Sequence, residues 1–140
     1  MFFKKNINKN DDLIKIAALL IHAAKIDENY SIIEEEIIKK TLLEIGATNE
    51  DLREIISDGK RIEENSNQIL DFTKEVKSMD EKNKIIIIET LWRIIYSNND
   101  ADIYETNLMR RLTGLLYVDS KIMGDIKEKI KKEFLKWHTL

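Results

Sequence analysis

The chain has no cysteine, no proline and only four glycines in 140 residues. Without cysteine there is no disulfide framework, no thiolate nucleophile and no thiolate metal site. Without proline no helix is broken from within. Glycine is too sparse for a phosphate-cradling loop. Histidine occurs twice, at His22 and His138, which leaves a structural zinc site and a Ser–His–acid triad without support. Neither sign of charge dominates, the net value being −3, whereas a nucleic-acid binder usually carries a basic excess. The one basic-leaning stretch, Lys121 to Lys136, alternates with Asp125, Glu128 and Glu133 and reads as a solvated helix face. No apolar run approaches the roughly 20 residues needed to cross a bilayer. Met1-Phe-Phe-Lys-Lys5 turns polar too soon for a signal peptide. The expectation is a cytoplasmic protein that does not bind nucleic acid.

What is present is helical, and it is present twice. Charged residues make up 35% and apolar residues 43%, a mixture that solvates one helix face and buries the other. An apolar run from Leu13 to Ala24 meets the polar Asp27-Glu28-Asn29 and restarts at Ser31-Ile-Ile-Glu34. A second run, Ile85 to Tyr96, meets Asn98-Asn99-Asp100 and restarts at Asp102-Ile-Tyr-Glu105. The offset is 71 residues and aligns Leu20 with Leu91, Ile32 with Ile103 and Glu34 with Glu105. Such self-similarity predicts an all-α, compact bundle of two related helix-loop-helix halves.

Seven helices are expected, at about 12–26, 32–45, 49–58 (with an extension past Gly59 open), 67–78, 81–97, 103–117 and 120–136. Residues 1–11 are expected to be flexible or loosely docked, and 12–140 to form one domain. Ser31-x-x-Glu34 and Asp102-x-x-Glu105 read as capping boxes, Thr48 and Asp119 as N-caps, and Gly46 as a helix stop. The runs around Leu20 and Leu91 are apolar on most faces and belong at the centre of the bundle. Residues 59–78 read as the connector between halves, with Ile69, Leu70, Phe72 and Val76 docked on the core.

These residues resemble the TerB-like (tellurite resistance B) helical proteins. The likeness covers about residues 12–136 and is most specific over 91–120, where Leu91-Trp92, Tyr104-Glu105, Arg110-Arg111 and Gly114-Leu-Leu-Tyr-Val118 carry it. The resemblance implies about seven helices in two halves and an association with bacterial stress and toxic-oxyanion resistance. It also implies divalent-cation binding through acidic residues, and no catalytic activity. Carried over by position, the acidic residues fall on Asp27, Glu34 and Glu105, with Asp102 beside the last. Departures from the pattern are Asn98 in place of an aspartate, Ser31 where one is common, and Glu28 and Asn99 in place of loop glycines. His22 and Arg93 stand where relatives often carry glutamate.

Two readings of the acidic residues stay open. Asp27 and Glu34 at the first loop, and Asp102 and Glu105 at the second, could supply oxygens to a divalent cation such as calcium. The same residues could simply cap helices and favour the positive ends of their dipoles. Charge count places any cation at the first loop, because Asn98 and Arg93 weaken the second. Among the other candidates, His22 reads as a satisfied core or interface residue. Trp92, Tyr96, Tyr104 and Tyr117 read as core aromatics, and Tyr30 as a seal or partner contact in the first loop. The expected function is a non-enzymatic interaction or sensing module. Its partner would be a protein, membrane-associated ones included. The alternative is a purely structural module that dimerises or docks on a membrane protein without metal.

Overall fold

The computed structural model describes residues 2–25, 31–66, 70–97 and 103–138, with side chains described for 10–25, 31–66, 72–97 and 107–134. Seven helices follow one another: α1 (Phe2–Ala24), α2 (Ile32–Glu44), α3 (Asn49–Glu64), α4 (Leu70–Lys77), α5 (Glu81–Tyr96), α6 (Ile103–Leu115) and α7 (Ser120–His138). No strand occurs among the described residues. The starts are where side-chain oxygens can replace a missing helical carbonyl. Thr48 accepts from the Asp51 amide (3.2 Å), Asp80 from Asn83 (2.8 Å) and Asp119 from Lys121 (2.8 Å).

α2 ends in a Schellman turn. The amide of Ala47 donates to Leu42 O at 2.9 Å, that of Gly46 to Leu43 O at 3.4 Å, and Gly46 has φ +124°. The end of α6 repeats this geometry 71 residues later. There Val118 donates to Thr113 O (3.1 Å) and Tyr117 to Gly114 O (3.3 Å). The residue in glycine's place is Tyr117, at φ +55°.

The two halves share one core. α1 packs on α2, α3, α4 and α5, and α5 packs on α7. Leu19, Leu20 and Ile21 of α1 lie against the same cluster as Ile87, Leu91 and Ile95 of α5, all inaccessible or nearly so. Burial of this kind stabilises by about 25 cal/mol per Å² of apolar surface removed from water. Within the core, Thr41 of α2 donates to Thr90 of α5 across 2.7 Å, because the Thr90 hydroxyl itself donates to Ile86 O (2.8 Å). Each buried hydroxyl is thereby satisfied.

Two features differ from the sequence expectation. α1 begins at Phe2, about ten residues before the expected start, although no apolar periodicity marks the extra turns. α3 takes the extension past Gly59 and runs to Glu64, so residues 59–64 belong to the bundle and not to a connector. The cause is packing. Gly59 is buried against α1, where a Cβ would lie 2.9 Å from the Ala17 Cβ and 3.3 Å from the backbone at Ala18 and Ile14. Phe72 and Val76 of α4 are buried as expected, whereas Ile69 and the side chain of Leu70 lie outside the described residues.

Candidate functional site: the helix junctions

The first junction joins α1 to α2. Ser31 has an extended backbone, its hydroxyl accepts from the Glu34 amide (3.1 Å), and the Glu34 carboxylate accepts from the Ser31 amide (2.9 Å). This closes the capping box read from sequence. Glu34 is fully buried, so its carboxylate is a structural group whose position the backbone fixes. Asp27, with Glu28, Asn29 and Tyr30, lies outside the described residues. Directly beyond the cap, Ile32 and Ile33 are 82% and 68% exposed.

The second junction joins α5 to α6. Asp102, Asn98, Asn99 and Asp100 lie outside the described residues, as do the side chains of Tyr104 and Glu105. Among the described residues no group of three or more His, Cys, Asp or Glu side chains is placed to hold a metal ion.

At both junctions the last turn of the central helix is held by a glutamate from the helix two elements on. His22 Nδ1 of α1 lies 3.2 Å from Glu63 of α3, and Lys25 donates to the same carboxylate at 2.8 Å. Arg93, at the equivalent place in α5, donates two hydrogen bonds to Glu133 of α7, at 3.2 and 3.3 Å. His22 and Arg93 are therefore the two copies of one cross-helix ion pair. That explains the basic residues at positions where the resemblance led us to look for acids. Sequence reasoning did not find Glu63 and Glu133. Their signal was the 71-residue offset, which brings α3 and α7 into register.

Trp92 is 3% exposed, stacks on Tyr96 at 6.0 Å between ring centroids, and carries Lys127 over its ring at 5.4 Å. It is a core aromatic, as expected. Tyr96 packs on Phe134 of α7, and burial, then the negative charge of Glu128, pushes its hydroxyl above the ordinary tyrosine range. Tyr117 departs from the core expectation. It is 72% exposed, because a residue placed after the Schellman turn points out of the bundle.

Three depressions mark the described surface. A groove of about 580 Å³ between α2 and α3 has Leu52 and Ile56 in its lining, and there Glu35 is met by Lys60 (2.8 Å) and Lys39 (3.9 Å). A small cleft of about 180 Å³ is lined by Asp12, Leu13, Ile16, Ile45, Glu75 and Met79. In it Lys15 donates to Glu75 (3.0 Å), and that hydrogen bond raises the Lys15 ammonium above its usual range. Burial, then the charges of Glu75 and Asp11, raises the Asp12 carboxyl. A third, of about 330 Å³, lies between α4 and α6 beside Tyr117. None brings a nucleophile and a base together.

The fold and its junctions define a class: an all-helical domain whose two halves each run a buried helix into a capped helix start. The family model for tellurite resistance protein TerB matches residues 13–128, and the chain belongs to that family. No curated protein and no solved structure matches.

The capping box at the first junction gives a test of the acidic residues. Ser31→Ala should lose on the order of 1 kcal/mol in urea unfolding, equally with calcium and with chelator. A loss confined to calcium-loaded protein would make Ser31 and Glu34 part of an ion site.

Proposed function

We propose that this domain is a non-enzymatic recognition module that serves bacterial stress or tellurite resistance by docking a protein partner at the first junction. One observation carries this reading, the exposure of Ile32 and Ile33 side by side at the start of α2. Scattered exposed apolar residues are ordinary on a protein surface. Two large aliphatic side chains on adjacent positions, beside an acidic loop and on a backbone fixed by a buried capping box, form a rigid apolar anchor. Such anchors lose little conformational entropy when a partner covers them. A divalent cation such as calcium would act here, where Asp27 adjoins the anchor, by fixing the loop that flanks it.

Photo-crosslinking in the producing cell tests the reading. A benzophenone amino acid at position 33 should give a discrete adduct, and the same group at exposed position 54 on α3 should not. An adduct whose mass is twice that of the chain would identify a second copy as the partner. Equal, diffuse labelling at both positions would sink the proposal.

A further inference from the structure

We infer that the groove between α4 and α6 is a second recognition surface, built around Tyr117, for an acidic segment of a protein partner. The inference rests on the reading of this domain as an interaction module and names the chemistry of one partner.

The starting point is a difference between the halves. Both Schellman turns need their residue after the helix at positive φ, and the first uses Gly46 (φ +124°) while the second uses Tyr117 (φ +55°). A residue with a Cβ is strained there, and strain of this kind persists where surrounding structure or function holds it. Packing does not hold Tyr117, since the side chain is 72% exposed. Its one described ring contact is the ammonium of Lys77, 4.1 Å from the ring centroid. Lys77 in turn makes no ion pair with a described residue. An exposed aromatic that keeps a cation over its face, at a conformational cost, has the character of a contact residue.

The surroundings fix the chemistry of what it contacts. The groove is lined by Thr73, Lys74 and Lys77 of α4 and by Gly114, Leu115 and Tyr117 at the end of α6, with two cations and no carboxylate. Arg110 and Arg111 stand one turn earlier on α6, three or four residues from Gly114 and Leu115 and thus on the same face; both are exposed. The nearest following acid, Asp119, accepts from the Lys121 amide in capping α7. On a chain of net charge −3 this is a local reversal of sign, and it selects for negative partners. Leu115 and the Tyr117 ring supply apolar contact between the cations. Gly114 has no atom within 4 Å of where a Cβ would lie, which leaves room for a partner backbone. The geometry therefore fits an acidic, leucine-bearing peptide better than a nucleic acid, which would want several stacking rings.

The test uses the whole chain and a fluorescein-labelled peptide of about 12 residues with glutamates flanking leucines at helical spacing. Its lysine-for-glutamate counterpart and an oligonucleotide of similar length serve as comparisons. Fluorescence anisotropy should show saturable binding of the acidic peptide alone, weakening as salt rises. Tyr117→Gly should lower the affinity about tenfold, the loss expected for a contact residue, while raising Tm by a few degrees through relief of strain. Lys77→Glu should weaken binding with Tm nearly unchanged. Affinity unaltered by both substitutions, the absence of saturable binding, tighter binding of the oligonucleotide, or a fall in Tm for Tyr117→Gly would each overturn the proposal. Peptide binding lost in Ile33→Asp but kept in Tyr117→Gly would overturn the groove and leave the first-junction reading standing.

Discussion

Replacing Trp92 with alanine should lower the unfolding free energy by about 3–5 kcal/mol, the range for emptying a large aromatic site in a packed core. Trp92 is 3% exposed and lies where α5 meets α7. Its ring touches Tyr96, which packs on Phe134, and Lys127 lies over its face. Removing the indole opens a cavity, withdraws the support under Tyr96 and takes the ring from Lys127. One term offsets part of the loss, since Trp92 Nε1 is buried with no hydrogen-bond partner among the described residues. An unmade bond of that kind costs about 1–3 kcal/mol. Trp92→Phe, which removes the orphaned donor and keeps a ring, should therefore cost much less than alanine. Chemical denaturation followed by far-ultraviolet circular dichroism measures both. Equal losses for alanine and phenylalanine would show that the ring is not what the site requires.

Gly59→Ala should destabilise by about 1–3 kcal/mol, the usual range for overfilling a tight contact. The expectation runs against helix propensity, which favours alanine over glycine by up to about 1 kcal/mol inside a helix. Sterics decide the sign. The new Cβ would sit 2.9 Å from the Ala17 Cβ, with α1 backbone atoms at 3.3 Å, so neither neighbour can swing away. Gly124 in α7 provides the contrast, because nothing lies within 4 Å of its added Cβ. Gly124→Ala should stabilise by about 0.5–1 kcal/mol. Thermal unfolding of the two variants side by side checks the argument, and a stabilised Gly59→Ala would refute the close approach of α3 to α1.

The number of helices, their order and most of their starts were legible because the responsible chemistry is local. A hydroxyl at Ser31 or Thr48, or a carboxylate at Asp119, acts within three residues of itself, and a one-dimensional pattern records such short reach. The central positions of α1 and α5 were legible for a similar reason, since a helix with hardly a polar face must be buried. Gly59 was not legible. The same glycine marks a helix end or a close helix–helix approach, and only the packing of α1 on α3 decides. Glu63 and Glu133 were hidden among many solvated carboxylates, because an ion pair across 40 residues leaves no local trace. Tyr117 read as one more core aromatic until the second Schellman turn placed it opposite Gly46. Of the acidic residues singled out at the junctions, the described structure places Glu34 in a buried cap. Asp27, Asp102 and the Glu105 side chain fall outside the described residues.

The position of α1 has a bearing on how the chain comes into being. It leaves the ribosome first, yet its covering surfaces include α4 and α5 as well as α2 and α3. Leu19, Leu20 and Ile21 therefore stay partly uncovered until synthesis has passed Tyr96. During that interval the nascent chain presents its most apolar helix to whatever is near, the condition in which partly made proteins aggregate or engage chaperones. A helix that reaches its final surroundings only when later elements arrive makes folding an end-of-synthesis event, completed for the whole domain at once.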